Sequence, residues 1–358
     1  MATFPIPTLF PIVPHHRDTG PVASPPPKPV AGQSGIARFA ADSPQAAAKR
    51  GTEYFWLPVR SILNNCESSR VPFPWTINPY RGCEFGCLYC YARYTHEFME
   101  LGVAEFDKKI YAKANAGAIV SRDMAEKHTG TGHIAIGAST DPYQPAEREF
   151  GVTREILERL AERKGLSLSI TTKSDQVVRD IDLLKKISER SSLTINMTVV
   201  TLRTRLARLL EPRAPRPDLR LAAVKKLCEA GLAAGVFMMP VLPGLTDSEE
   251  HFDAMGKAAS DAGAQWFAGA ALFLMSSSAK YFLPIVRKKF PRLAKQYDEW
   301  YRDAAYPPKT YIDETKIRVA KVREKYGLGV RPESPNRPAS EAQLQLALTA
   351  ASEPAVFV

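Results

Sequence analysis

Six short apolar, β-rich runs separated by longer stretches of helical periodicity constrain this chain more than any other feature of it. The runs are Trp75–Asn78, His133–Thr140, Leu166–Thr172, Leu193–Thr201, Gly235–Val241 and Gln265–Leu274. Between the third and fourth, Val177, Ile181, Leu184 and Ile187 recur every three or four positions with Lys and Glu among them, the period of an amphipathic helix. Thr246-Asp-Ser-Glu249 reads as a capping box that opens the helix after the fifth run, and Gly165 stands where a helix should stop. Strand and helix alternating six times predict an α/β domain with a parallel sheet. The pattern does not separate closed, partly closed and open sheets.

The ends differ in character. Ten of the 29 prolines fall in the first fifty residues, Pro25-Pro26-Pro27 among them, so residues 1–55 are expected to be a disordered Pro-rich arm. Residues 329–358 are again rich in Pro and Ala and are expected to be a flexible tail. The α/β core is placed at 56–275. Residues 276–328 read as a C-terminal helical extension whose aromatics include Tyr281, Phe282, Phe290, Tyr297 and Tyr301. Aromatics at helical spacing are usually core, so a packed helical pair with a solvated basic face is favoured over a nucleic-acid surface.

Composition narrows the class. Hydrophobic residues make up 45% and charged residues 24%, the balance of a soluble globular protein. No apolar run approaches the roughly 18 residues that cross a bilayer, and no secretory signal opens the chain; the expected address is the cytoplasm, with no membrane partner. A formal charge of +10 suits a polyanionic partner, nucleic acid above all, without establishing one. Of five cysteines, Cys66 and Cys228 stand apart and read as ordinary free thiols, while three crowd into one loop.

That loop is Asn78-Pro-Tyr-Arg-Gly-Cys83-Glu-Phe-Gly-Cys87-Leu-Tyr-Cys90-Tyr-Ala-Arg93, directly after the first predicted strand. Gly82 and Gly86 allow the positive φ values needed to curl a chain around a bulky ligand. Electron-transfer iron–sulfur clusters usually take four cysteines; three leave one metal position open, as at a metal that does chemistry. Zinc would want a fourth ligand, and His96 is the nearby candidate.

The C-x3-C-x2-C loop, with an aromatic just before its third Cys, resembles the defining motif of the radical S-adenosylmethionine (SAM) superfamily. The wider match, from Asn78 to Arg93, is similar to the bacterial branch related to spore photoproduct lyase, and the resemblance runs from about Pro58 to Gly327. It implies a partial (β/α)6 barrel with a [4Fe-4S] cluster on Cys83, Cys87 and Cys90 and SAM on the fourth iron. It also implies reductive cleavage of SAM to methionine and a 5′-deoxyadenosyl radical that abstracts hydrogen from substrate. A one-electron reductant such as flavodoxin or ferredoxin would be the partner. Carried over by position, Tyr89 would lie near the adenine, Thr140 (with Ser139 behind it) at the SAM amino group, and Lys173 at its carboxylate. Asn196 would face the ribose and Arg220 the methionine end. Functional groups gather at the carboxyl ends of parallel barrel strands, where the loop, Thr140 and Lys173 all fall.

The sequence departs from the lyase at Ala138, where that family's hydrogen-donating cysteine would stand. Tyr143, Tyr91 and Cys228 are the alternative hydrogen relays. The substrate, including whether it is nucleic acid, and the oligomeric state are not readable. The competing reading is a nucleic-acid-binding protein with a structural or redox-sensing cluster, its phosphate-facing patch made by Arg203, Arg205, Arg208, Arg213 and Arg216.

Overall fold

The computed structural model describes residues 35–49, 51–66, 71–127 and 132–332; the expectations for 1–34 and 333–358 lie outside them. In chain order the strands are β1 (Gln45–Lys49), β2 (Thr52–Leu57), β3 (Leu63–Asn65), β4 (Trp75–Ile77), β5 (Tyr80–Arg81) and β6 (Lys109–Lys113). They continue with β7 (Ile134–Ile136), β8 (Ser167–Thr172), β9 (Ser192–Thr198), β10 (Ala234–Val241) and β11 (Phe267–Ala271).

The main sheet runs β3-β4-β7-β8-β9-β10-β11. Each of the six apolar runs contributes one strand, and these six lie parallel in sequence order, with β3 antiparallel at one edge. Parallel neighbours need a crossover, and helices at Ala116–Glu126, Val152–Ala161, Ile181–Ser188, Pro217–Glu229 and Glu249–Asp261 supply it. The edges β3 and β11 do not pair, so the barrel is partial.

Side chains alternate across each strand. Leu168 and Ile170 of β8, Leu193 and Ile195 of β9, and Val236 and Met238 of β10 join the core beneath the helices. The opposite face carries Ser169, Thr171, Thr198, Phe237 and Met239, which converge on one cavity. That face, which mixes hydroxyls with Phe237 and Met239, borders a cavity, whereas the other is packed core.

Residues 35–49 and 51–55 are not a disordered arm. They form the helix Gly35–Ala41 and strands β1 and β2, which belong to a second sheet of order β1-β2-β6-β5. Nine of the ten early prolines precede residue 30, so averaging over fifty residues hid an ordinary segment behind a Pro-rich one. In β2, Thr52 and Tyr54 are buried on one face, and Leu57 at the strand's end is buried on the other in a separate small apolar cluster with Tyr111.

The C-terminal boundaries also move. Phe282, Tyr297 and Tyr301 of the extension pack in one apolar cluster with Cys83, Cys87 and Tyr89. The helix Lys309–Tyr326, placed by sequence in the extension, packs on β11 and on Glu249–Asp261 as the sixth outer helix of the barrel. Gly329 and its neighbours are no tail: Gly329 bridges Trp266, donating to Gln265 O at 2.9 Å and accepting from Phe267 N at 3.2 Å. Thr246 does not cap the helix after β10. Ser248 does, accepting from His251 N, while the buried Thr246 hydroxyl accepts from Leu242 N at 2.8 Å inside the preceding loop.

The barrel interior is tight at Gly235. A Cβ there would lie 2.3 Å from the Trp266 ring, whose Nε1 donates to Asn196 Oδ1 at 3.2 Å. Gly235→Ala should therefore cost about 1–3 kcal/mol, as overpacked cores do. Chemical denaturation of the variant measures this, and an unshifted midpoint would mean that the indole moves aside freely.

Candidate functional site

The cysteine loop leaves β5 through Gly82 (φ +80°) and turns again at Gly86 (φ +63°). A Cβ on Gly82 would meet Lys109 O at 2.7 Å and Phe106 O at 2.8 Å, so only glycine lets the loop lie this close to β6. Cys83 N donates to Phe106 O at 3.0 Å, and Leu88 N to Leu210 O at 2.9 Å, tying the loop to both neighbouring segments. From behind, the fully buried Arg93 donates to Cys87 O, Val103 O and Asp107 Oδ1 and lies over the Tyr281 ring at 3.9 Å. Sequence reading took Arg93 only as the end of a motif.

Cys83, Cys87 and Cys90 open on one cavity of about 330 Å³. Burial raises all three thiols, Cys87 to about 12, so they are neutral unless a cation draws the protons off, which a coordinated metal does outright. Asp141 is the one carboxylate among the described residues that line the cavity, and both its oxygens are taken. Oδ1 accepts from Tyr143 N and Thr172 Oγ1, and Oδ2 from Lys173 N at 2.7 Å.

His96 faces away. Its Nε2 lies 3.0 Å from Lys109 O and its ring packs edge-on against Phe106 and Tyr111, which removes the fourth ligand of the zinc reading. Among the described residues no three His, Cys, Asp or Glu groups gather around a single ion. Three thiols set around a cavity wall suit a polynuclear cluster with one corner free of protein.

Behind Cys87 sits a buried charge set. Glu211 accepts from Tyr89 Oη, lies 3.7 Å from Lys173 Nζ, and touches Arg220 Nη2 at 2.6 Å without hydrogen-bond alignment. Arg220 also donates to Pro215 O and Thr198 O. Burial alone would raise the Glu211 carboxyl, but Arg220 and Lys173 outweigh it and hold it below the usual range. Lys173 lines the cavity, with its ammonium 5.9 Å from the Tyr89 ring centre. Glu211 was missed from sequence, although it is the single carboxylate between Arg203 and Pro217, in a stretch with five arginines.

The remaining positions divide. Thr140 and Ser139 both line the cavity, but the Thr140 hydroxyl donates to Gly82 O at 2.6 Å and so braces the loop. Asn196 is one layer too deep: fully buried, it is held by Trp266 and Thr171 and does not line the cavity. Arg220 stands behind the wall on Glu211 instead of in the chamber.

Of the three relay candidates, Tyr91 lines the cavity and its hydroxyl donates to Ala138 O. Tyr143 is buried elsewhere, and Cys228 lies on an outer helix with Sγ toward Ala234 O. Of the five arginines, Arg205 is exposed and the other four are engaged within the protein. Arg203 and Arg208 donate to backbone carbonyls, Arg213 pairs with Asp107, and Arg216 with Asp218.

A family model described as the radical SAM superfamily matches residues 77–255. An uncharacterised protein of Mycobacterium tuberculosis is 33% identical over 293 residues, covering 81% of this chain and 86% of the relative. An uncharacterised protein of Methanocaldococcus jannaschii is 35% identical over 175 residues, covering 49% and 63%. Among solved structures, a Y98F mutant of spore photoproduct lyase has the same fold, with a TM-score of 0.59, 15% identity and 84% of each chain covered.

Glu211→Ala should lose about 3–5 kcal/mol of stability, because it leaves two buried cations uncompensated. A carboxyl held low in the folded state stabilises fully above its unfolded value of about 4.3 and stops doing so as pH falls through the folded value. Acid unfolding of Glu211→Gln should accordingly be less pH-dependent below that point than the parent's; superimposable curves would refute the pairing.

Proposed function

The chain belongs to the radical SAM superfamily, and we propose that it carries a [4Fe-4S] cluster on Cys83, Cys87 and Cys90, binds SAM at the open iron and abstracts hydrogen from a substrate held in the barrel cavity. When bound, cluster and SAM supply reductive cleavage to methionine and a 5′-deoxyadenosyl radical. The observation that carries this reading is a chamber lined by three thiols where, among the described lining residues, there is no imidazole and no carboxylate but the engaged Asp141. A spore photoproduct lyase mutant of the same fold is described with bound AdoMet and dinucleoside spore photoproduct, at a TM-score of 0.56 and 16% identity.

The protein's own part is to bind, orient and exclude water. Lys173, a cation on the cavity wall, would hold the SAM carboxylate, and Ser139 would offer a hydroxyl to the amino group. Tyr89, fixed by Glu211, forms part of the packed wall behind them. Phe85, Phe106, Phe237 and Met239 give the chamber apolar sides. Tyr91, with its hydroxyl at the Ala138 carbonyl, is the hydrogen-return group that the chamber offers; no thiol stands there for the photoproduct reaction.

Anaerobically reconstituted protein given SAM and a strong reductant should release 5′-deoxyadenosine and methionine in equal amounts. Cys83→Ala, Cys87→Ala and Cys90→Ala should each lose both the products and the cluster's visible absorption. Lys173→Met should weaken SAM binding about tenfold or more, the worth of one charge-assisted contact, while leaving the iron content unchanged. An intact cluster that leaves SAM uncleaved would favour the nucleic-acid-binding reading, and zinc without iron would overturn the cluster itself.

A further inference from the structure

Away from the thiols, a second cleft of about 1060 Å³ lies between the helix Gly35–Ala41, the end of β6, and the β3–β4 edge of the main sheet. It shares Ser139 with the reaction chamber, and Asn78 on its wall accepts from Ser139 N at 2.7 Å. Its charge is one-sided. Arg38, Arg60, Arg81 and Lys113 line it against one carboxylate, Asp42, which Arg38 already approaches at 3.7 Å.

Lys113 is the telling residue. It is 5% exposed, yet its ammonium has no hydrogen-bond or ion-pair partner among the described residues. Burial and the adjacent Arg81 push its pKa down to about 7. Asp123 pulls the other way, but its carboxylate is already engaged by Ser61 Oγ, Ile62 N and Leu63 N. Arg81 is itself partly buried, with a long contact of 3.4 Å to Thr95 O. Two desolvated cations side by side without an anion are costly, and a ligand that supplies the anion recovers that cost. Phe98 lines the same cleft, 58% exposed and braced edge-on by Tyr94, with ring centroids 5.6 Å apart. An exposed, backed aromatic in a cleft lined by cations is the combination that stacks a base and seats its phosphate.

We propose that this cleft binds a phosphate-bearing nucleotide, with the phosphate on Lys113 and Arg81 and the base on Phe98. The site is independent of the cluster, so it is testable without SAM or reductant, and its failure is distinguishable from failure of the radical chemistry. Fluorescence anisotropy of the full chain with a short fluorescein-labelled oligothymidylate should show binding that weakens as salt rises. Lys113→Met and Phe98→Ala should each weaken it at least about fivefold, the lower end for one stacked base. Lys295→Ala, an exposed lysine outside the cleft, should leave it unchanged.

Phe98 is exposed, so Phe98→Ala together with Arg60→Ala decides the matter even if Lys113→Met fails to fold. Displacement by thymidine monophosphate would identify a free nucleotide as the ligand, and displacement by oligomer alone would identify a strand; both support the site. Parental affinity in the cleft variants, an equal loss in Lys295→Ala, or equal displacement by a glutamate peptide would overturn it.

Discussion

One carboxylate holds the back wall of the reaction chamber together. Glu211 faces two cations and a phenol contributed by three distant segments: Lys173 after β8, Arg220 on the helix before β10, and Tyr89 inside the cysteine loop. Buried ion pairs are weak evidence for stability, since desolvation offsets most of the attraction. What this set fixes is position. Tyr89 precedes Cys90 and follows Cys87 by two residues, so anchoring its hydroxyl sets where two of the three sulfurs can sit. The neighbouring Leu88–Leu210 hydrogen bond fixes the same register through the backbone.

The two sheets divide the work. The parallel strands present polar side chains inward, at levels set by their register, and helices cover the apolar outer faces. The smaller sheet does not line the chamber with strands; it supplies, in β6 and the loop before it, the carbonyls against which the cysteine loop lies. Because β5 follows β4 after two residues, the chain passes from the barrel to this sheet and on into the loop. The cysteine loop thus runs between the two sheets, with Arg93 holding the Cys87 carbonyl from behind.

The barrel and the loop were readable because their signals are local: apolar runs of strand length, helical periods, and glycines beside clustered thiols. Glu211 was not, because its meaning depends on partners up to 122 positions away. Asn196 and Arg220 were assigned to the right strand and segment but to the wrong depth, since a sequence shows which residues alternate inward and not which layer meets the opening. Thr140 lines the cavity, and its hydroxyl donates to the Gly82 carbonyl of the loop. The helix and strands at 35–57 were lost in an average dominated by earlier prolines. Nothing local in the sequence marks Lys113, and only its burial at the end of β6 beside Arg81 shows it as a desolvated cation.

The far end of the chamber is closed by Arg331, which donates toward His133 Nε2 at 3.2 Å, lies over Phe237 and lines the same cavity as the cysteines. Gly329, just before it, is stitched to the segment entering β11. This floor comes off the ribosome after every barrel strand, long after the thiols. The far end of the chamber therefore depends on a segment made only after β11, whereas the cysteine loop precedes every barrel strand but the first.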